Sequence, residues 1–294
     1  MALCDLQPFD GSLRQARGVL SVEEATFGEC PYSPEQVACL LNQPAQHAVV
    51  AMHADRVVGF VAGFETETLA GHNLEVDLLA VHPDARGQGI GCQLLSRAGV
   101  LSAALGAGRA RGLVGASNPP SQKAFLKAEY VPTVSVHLLV CDPGGQSSSA
   151  GHQHLIGVAP LSQFEELRQL GLADRRTSLS ADETMSSLRS RRHEIWVARQ
   201  NDALVGFCET LWVDTLLYKG VWIESLHPRR HDQRVVKELV CHVIDQARAA
   251  GLDRVGILAG EHMNGQIPLL EGLGFRRIGE YRWHEFHGRP RSDG

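Results

Sequence analysis

The sequence predicts an α/β (α+β) protein of two similar domains, each with a mixed, mostly antiparallel sheet flanked by helices. The chain has 294 residues, about twice the usual length of one domain. A Gly- and Ser-rich segment near the midpoint, 143–153, has little to bury and is typical of a linker. Strand and helix signals follow the same order on both sides of it. We therefore expect one domain at 1–142 and a second at 154–294.

Composition and charge exclude several classes of protein. Apolar residues make up 44% of the chain and charged residues 21%, as in ordinary globular proteins. The net charge is −5, so a basic nucleic-acid surface is not expected. No signal peptide and no membrane-length apolar run is visible. The seven cysteines include no Cys-x-x-Cys pair, which favours a reducing compartment over disulfides or zinc. We expect a cytoplasmic protein without a metal, and the sequence leaves a monomer or a homodimer open.

The first half alternates between period-two and helical apolar patterns. Ser33-Pro34-Glu35-Gln36 is a helix-start signal, because proline is favoured in the first turn. A three-residue segment, 54–56, separates two β-rich runs and predicts a hairpin. The predicted strands are 2–6, 47–53, 57–64, 74–81, 112–116 and 133–140, and the predicted helices are 11–27, 33–41, 90–107 and 121–129.

The second half repeats this order of elements. Its hairpin is centred on 200–202, and a long helix again follows the fourth strand. A repeat this long indicates a duplicated domain rather than a solenoid. The predicted strands are 155–158, 194–199, 204–213, 221–226, 254–258 and 276–286, and the predicted helices are 162–172, 181–191, 235–250 and 268–273.

The most informative segment is the turn between the fourth strand and the long helix of the first half. Gly87, Gly89 and Gly91 alternate where the helix begins. Glycine permits positive φ and close approach of a ligand to the backbone, and helix N-termini bind anions. Arg86 adds a side-chain donor. The pattern predicts a phosphate or pyrophosphate site, and it lacks the Gly-Lys-Ser/Thr of a Walker loop.

These residues resemble a known family. The pattern Val81-x-Pro83-x-x-Arg86-Gly87-x-Gly89-Ile90-Gly91 resembles the acyl-CoA signature of the GCN5-related N-acetyltransferases (GNAT). The order of elements is also similar, and Asn118 opens the next helix as in that family. The resemblance covers about 3–140 with a specific motif and 154–286 as a degraded echo.

The resemblance implies a set of cofactor-binding residues. The backbone N–H groups of the loop from Arg86 to Gly91 would bind the CoA pyrophosphate, and the strand ending at Val81 would pair with pantetheine. The N–H of Leu79 would lie near the thioester oxygen. The full implied cofactor-binding set is Leu79, Val81, Arg86, Gly87, Gln88, Gly89, Ile90, Gly91, Asn118 and Phe125.

The second half aligns with this loop without a gap. Both halves contain a His-Pro pair, at His82 and His227, which supports a common origin. The three glycines are replaced by Asp232, Arg234 and Val236. A carboxylate and two side chains oppose the close approach of phosphates. We therefore expect the second half to have lost CoA binding, and either to be structural or to close one side of the acceptor site.

Acetyl transfer to an amine needs a base that removes the amine proton. If strand alternation holds, Glu75 and Asp77 share a face with Leu79 and Val81, although a bulge would reverse this parity. The family resemblance implies Glu75 as the base. Asp77 is the second candidate, and Glu65 and Glu67 are further candidates on the preceding strand.

The general acid is not evident from the sequence. The resemblance implies a tyrosine seven residues after Asn118, where the chain has Phe125. In the second half the corresponding residue is Leu270. Tyr130 is an alternative proton donor, or the thiolate leaves without one.

Three functions follow as hypotheses. The first is an enzyme that transfers acetyl from acetyl-CoA to a primary amine by direct attack in a ternary complex. The acceptor would be a small molecule or a protein amine, and the acidic residues favour a cationic one. The second is an acyl-CoA-binding or sensing protein without catalysis. The third is an enzyme similar to the mycothiol synthases, which are also tandem GNAT proteins but rely on the copy that is degraded here.

Overall fold

The structure is a computed structural model that describes residues 4–28, 30–68, 71–144, 154–159, 167, 193–229 and 232–287. The helices predicted for 162–172 and 181–191 lie outside these residues, apart from Leu167. Most of the predicted linker also lies outside them. None of the helices in the described ranges is long and apolar enough to cross a membrane.

The described residues of the first half form six strands and four α-helices. Ser33 caps the second helix with the reciprocal hydrogen bonds of a capping box to Gln36, as the sequence signal predicts. The strands are β1 (Asp5–Pro8), β2 (Gln46–His53), β3 (Arg56–Thr68), β4 (Gly71–Val81), β5 (Arg109–Gly115) and β6 (Val131–Cys141), and the helices are α1 (Leu13–Phe27), α2 (Pro34–Leu41), α3 (Ile90–Ala104) and α4 (Pro119–Lys127).

The described part of the second half repeats this order. Its long helix buries an apolar stripe that includes Val236, Leu239 and Val243 against the sheet. The strands are β7 (Leu155–Val158), β8 (His193–Gln200), β9 (Ala203–Asp214), β10 (Lys219–Pro228), β11 (Arg254–Gly260) and β12 (Arg276–Phe286), and the helices are α5 (Gln233–Ala249) and α6 (Ile267–Gly272).

The two halves share one twelve-stranded sheet in the order β1-β2-β3-β4-β5-β12-β6-β11-β10-β9-β8-β7. Their last strands are exchanged. β12 of the second half pairs with β5 of the first, and β6 of the first half pairs with β11 of the second. The mixed, mostly antiparallel sheet flanked by helices confirms the predicted fold class. The exchange means that each half completes the sheet of the other.

Helices cover both faces of the sheet in the first half. On one face α3 and α4 bury a core that includes Leu94, Leu95 and Tyr130. On the other face α1 and α2 bury a core around Val19 and Phe60. Leu216, from the turn between β9 and β10, inserts into this second core. Part of the second half therefore lies against the face that α1 and α2 cover.

The sheet opens at a defined point in each half. β4 runs parallel to β5 and pairs with it only from Asn73 to Val76. β10 and β11 pair in the same way only from Gly220 to Ile223. Beyond these residues, in the described part of the chain, β4 pairs only with β3 and β10 only with β9. The result in the first half is a cleft between the ends of β4 and β5, beside the start of α3.

Candidate active site

The glycine-rich turn before α3 depends on left-handed backbone. Gly87 and Gly89 have φ values of +78° and +81°, which side chains other than glycine rarely adopt. A Cβ on Gly87 would meet nothing within 4 Å, and one on Gly89 only the Gln93 side chain at 3.9 Å. The backbone of this turn is therefore open to a ligand. It continues directly into α3 at Ile90.

The N-terminus of α3 has the properties of an anion site. Gly89 is its N-cap and provides no side-chain hydrogen bond. The first N–H groups of a helix have no acceptor within the helix, and the helix dipole favours negative charge there. Gly91 faces the Leu79 and Val81 side chains, so the helix start lies close against β4. Arg86 does not extend the site with its Nε, which donates to the Val81 carbonyl at 3.1 Å.

The corresponding helix start of the second half, from Asp232 onward, is closed. Asp232 is the N-cap of α5, and its side chain accepts a hydrogen bond from the N–H of Arg234 at 2.8 Å. The carboxylate therefore occupies the helix N-terminus that is open in the first half. An anion at this place would meet a negative charge, which agrees with the expected loss of the phosphate site.

A β-bulge on β4 places the acidic residues. Leu78 lies opposite Ala62 and Val76 opposite Gly63, which leaves Asp77 as the extra residue. A Cβ on Gly63 would lie 2.3 Å from the Glu75 carbonyl oxygen, so this close approach needs glycine.

The bulge corrects one prediction about the faces of β4. Leu79 and Val81 pack against the core under α3. Glu75 and Asp77 instead line a cavity on the opposite face. The expectation that all four share a face is wrong, because the extra residue reverses the alternation.

Glu75 is held in a buried ion-pair network. Nε of Arg111 donates to both of its oxygens at 2.8 and 2.9 Å, and Thr66 Oγ1 donates to it at 2.6 Å. Nη2 of Arg111 also donates to Glu224 of the second half at 2.8 Å. Burial by itself lowers the pKa of Arg111, but Glu224 and Glu75 more than offset this and raise it. Both oxygens of Glu75 already accept hydrogen bonds from buried donors, so the geometry favours a structural role for Glu75 over that of the base.

Asp77 is the second acidic candidate on β4. Burial raises the pKa of its carboxyl to about 6, the hydrogen bond from the Thr215 side chain opposes this rise, and the charge of Glu75 adds to it. Thr215 belongs to the turn between β9 and β10, so the second half provides the partner. Asp77 is ionised at neutral pH and can accept a proton near it.

Both halves line the cavity that contains Asp77. Its volume is about 180 Å³. Three carboxylates and one guanidinium face it, and aromatic rings form much of the remaining wall. The charged residues are Glu75, Asp77, Arg111 and Glu224, and the aromatic ones are Phe64, Trp222, Tyr281 and Trp283. Arg111 stacks on Trp283, with 4.4 Å from its Cζ to the ring centroid.

A larger groove of about 460 Å³ adjoins this cavity and shares Phe64 and Thr66 with it. Glu65 and Glu67 line the groove. Glu65 is bound by His47 at 2.7 Å and by His72 at 2.8 Å. These two further base candidates therefore lie in the groove and outside the lining of the Asp77 cavity.

The expected positions of the general acid lie in the core. Phe125 is 4% exposed and packs edge-to-face on Tyr130 at 5.0 Å, so its side chain offers a cofactor no surface. The Tyr130 hydroxyl donates to the Leu95 carbonyl at 3.2 Å, and burial raises the pKa of Tyr130. Tyr130 is therefore a core residue, and the structure does not support the alternative that it is the proton donor. Asn118 caps α4 and accepts from the Ser121 N–H at 3.2 Å.

The functional residues that were not predicted from the sequence are Arg111, Glu224 and the second-half aromatic residues of the cavity. Charged residues inside apolar strands, as in Arg111-Gly-Leu-Val and Val221-Trp-Ile-Glu224, signal a buried partner. Which strands meet is not visible from the pattern. In the described ranges no cluster of three His, Cys, Asp or Glu side chains could hold a metal ion.

Comparisons with known proteins give a consistent result. The model of the acetyltransferase (GNAT) family matches residues 18–130 and again 161–275. No curated protein matches the chain. A GCN5-related N-acetyltransferase from Sphaerobacter thermophilus is 18% identical with a TM-score of 0.65, over 98% of this chain and 96% of that one.

Two further solved structures share the fold. A tandem GNAT protein from the clavulanic acid biosynthesis pathway, solved without AcCoA, is 16% identical with a TM-score of 0.60, over 99% of this chain and all of that one. A glucosamine N-acetyltransferase region of a fungal multi-domain β-N-acetylglucosaminidase is 18% identical with a TM-score of 0.63. The match covers 97% of this chain and 38% of the fungal one. Because the family model matches most of the chain in two regions, the protein belongs to the GNAT acetyltransferase family as a tandem member.

Proposed function

We propose that this protein transfers an acetyl group from acetyl-CoA to a primary amine, with the cofactor bound by the first half alone. The observation that carries the proposal is that the open N-terminus of α3 and the Asp77 cavity both border β4 where it no longer pairs with β5. The helix start suits a phosphate, and the cavity suits a reactive amine.

The first half supplies the cofactor contacts. The N–H groups from Gly87 to Gly91 receive the pyrophosphate, where the positive helix end stabilises its charge. Pantetheine extends along the β4 backbone that does not pair with β5 beyond Val76. In the second half Asp232 occupies the equivalent helix end, so one cofactor binds per chain.

Asp77 acts as the base in this proposal. A carboxylate with a pKa of about 6 is ionised at neutral pH and accepts a proton better than an ordinary aspartate. The neutral amine attacks the thioester directly while both substrates are bound, and as the C–N bond forms its nitrogen gives one proton to Asp77. Glu75 has a positioning role, since it holds Arg111 and the adjoining part of β4.

The acceptor is a cationic amine with a slim body. Three carboxylates against one guanidinium leave two negative charges in the cavity when Asp77 is ionised, and a cation offsets them. Aromatic walls favour a cation as well. Because Trp222, Glu224 and Thr215 come from the second half, that half closes the acceptor site.

Two measurements test the proposal. Calorimetric titration of acetyl-CoA should show one site in the wild type and none in Gly89→Arg, which copies Arg234 into the first loop. Acetylation rates should rank cationic above neutral above anionic amines of similar size. Two sites, or one site that survives the substitution, would contradict cofactor binding by the first half alone. A preference for anionic acceptors would contradict the acceptor class.

The second candidate is an acyl-CoA-binding or sensing protein without catalysis. It is favoured by Phe125, which has no proton to donate, and by the sequestered hydroxyl of Tyr130. It predicts acetyl-CoA binding without acetyl transfer to any amine of the panel. Transfer to one amine at a rate well above the uncatalysed reaction excludes it.

A further inference from the structure

A proton donor for the departing thiolate is needed in the proposed reaction, and the first half does not supply one in the usual place. Phe125 has no acidic proton. The Tyr130 hydroxyl is buried and donates to the Leu95 carbonyl. Thr66, which lines the cavity, donates its hydroxyl proton to Glu75 at 2.6 Å. Among the described residues that line the cavity, Tyr281 alone is a phenol.

Tyr281 reaches the site through the exchanged strand. It lies on β12 directly opposite Gly115 of β5. A Cβ on Gly115 would lie 3.7 Å from Cε1 and 3.9 Å from Cδ1 of Tyr281, so the ring leans over a residue without a side chain. Gly115 is three residues past Gly112, where β5 stops pairing with β4. The ring therefore stands beside the open cleft, in the cavity that also contains Asp77.

We propose that Tyr281, which the exchanged strand β12 brings from the second half, is the general acid of the first-half site. This inference rests on the proposed acetyl transfer. The amine nitrogen forms a bond to the thioester carbon, and the C–S bond then breaks with its electron pair going to sulfur. Tyr281 gives its hydroxyl proton to that sulfur, and CoA leaves as the thiol. Asp77 holds the proton from the amine and releases it to solvent, while the phenolate regains one from solvent.

The charged neighbours of Tyr281 come from three strands. Glu75 and Asp77 face the cavity from β4, Arg111 from β5 and Glu224 from β10. On the β6 side its register partner is Val136, and Leu138 lines the cavity. Tyr281 therefore faces the same cavity as the proposed base Asp77, which suits an acid and a base that act on the same pair of substrates.

The test compares wild type, Tyr281→Phe and a chain with 3-fluorotyrosine at position 281. Tyr281→Phe should lower kcat about 100-fold, in the range of lost general acid catalysis, with acetyl-CoA affinity by calorimetry within twofold of wild type. It should also remove the fall in kcat at alkaline pH. Fluorination makes a phenol more acidic and keeps the ring and hydroxyl, so the alkaline fall should move to lower pH.

Tyr218→Phe is the matched control, because it removes a phenol hydroxyl that donates to the Val221 carbonyl outside the cavity lining. It should keep the alkaline fall in kcat. If wild type transfers acetyl groups and Tyr281→Phe keeps kcat within threefold with the same pH profile, the acid assignment is wrong and the proposed function stands. If wild type binds acetyl-CoA but acetylates no amine, the acid assignment and the proposed acetyl transfer are both overturned. An unmoved alkaline limb in the fluorotyrosine protein also overturns the assignment.

Discussion

Arg111 and Glu224 join the two halves through a 2.8 Å hydrogen bond between Nη2 and Oε1, while the same guanidinium holds Glu75. The Arg111 side chain is 6% exposed and each glutamate side chain 9% exposed. A buried guanidinium between two carboxylates is a specific arrangement, since each carboxylate is costly to bury without the cation. The pairing ties the β4 backbone beside Asp77 to the second half.

Arg111→Met should destabilise the protein by about 3–5 kcal/mol, because it leaves two buried carboxylates without a cation. Chemical denaturation gives the free energy of unfolding. Arg277→Met is the control: its pair with Glu271 spans 3.5 Å, both side chains are nearly half exposed, and such pairs contribute about 1 kcal/mol or less. Equal losses in the two variants would show that the network contributes little.

Asp77→Asn should lower kcat about 100-fold or more, since the amide cannot accept the amine proton. In the wild type, kcat/KM should fall as pH drops below about 6, where Asp77 becomes protonated. Glu75→Gln separates the two carboxylates. We expect it to reduce stability and activity but to keep the acid limb near pH 6. If the fall in kcat/KM at acid pH disappears in Glu75→Gln and persists in Asp77→Asn, the base is Glu75 and not Asp77.

Asp77 should also affect stability with pH. Its folded pKa of about 6 lies above the ordinary aspartate value of 3.8, so the folded state binds a proton that the unfolded state releases in this window. Stability from this group is present below pH 4 and is lost as pH rises through 6. Asp77→Asn should therefore be more stable than wild type at pH 8, by up to about 3 kcal/mol for a shift of about two units. Thermal unfolding at pH 4 and pH 8 measures the difference, and a stability gap that does not grow with pH would contradict it.

Gly89→Ala should weaken acetyl-CoA binding about tenfold. The φ of +81° costs a residue with a Cβ about 1 kcal/mol, and relaxing that strain turns the N–H groups away from the phosphates. Gly106→Ala is matched to it: Gly106 has φ +73°, lies at the other end of α3 and has nothing within 4 Å of its Cβ position. It should lose similar stability and keep its affinity in the same titration. Comparable loss of affinity in both variants would point to general destabilisation.

Much of the fold could be read from local patterns. The capping signal at Ser33, the period of the apolar residues and the glycines at 87 and 89 act over a few residues, so the sequence predicted these elements and the glycine-rich turn before α3. The internal alignment of the two halves likewise predicted that Asp232 would stand at a helix start.

Tertiary contacts, and not local patterns, decided which face each site residue occupies and which residues it contacts. The predicted faces of β4 assumed regular alternation of side chains. The bulge at Asp77 reverses that alternation, and the backbones of Gly63 and Glu75 approach closely there. The proposed base is therefore Asp77 rather than Glu75, which the sequence favoured. A bulge depends on the neighbouring strand, so one strand's pattern does not reveal it.

By itself the sequence determined the fold class, the duplication and the glycine loop, because these arise from contacts between residues near one another in the chain or from comparison of one half with the other. Only the tertiary structure decided that β6 and β12 change places, that Arg111 joins two glutamates from different halves, and that Tyr281 and Asp77 line one cavity. Strand order is set by packing across more than 100 residues of chain, and no local periodicity encodes which edge a last strand will join.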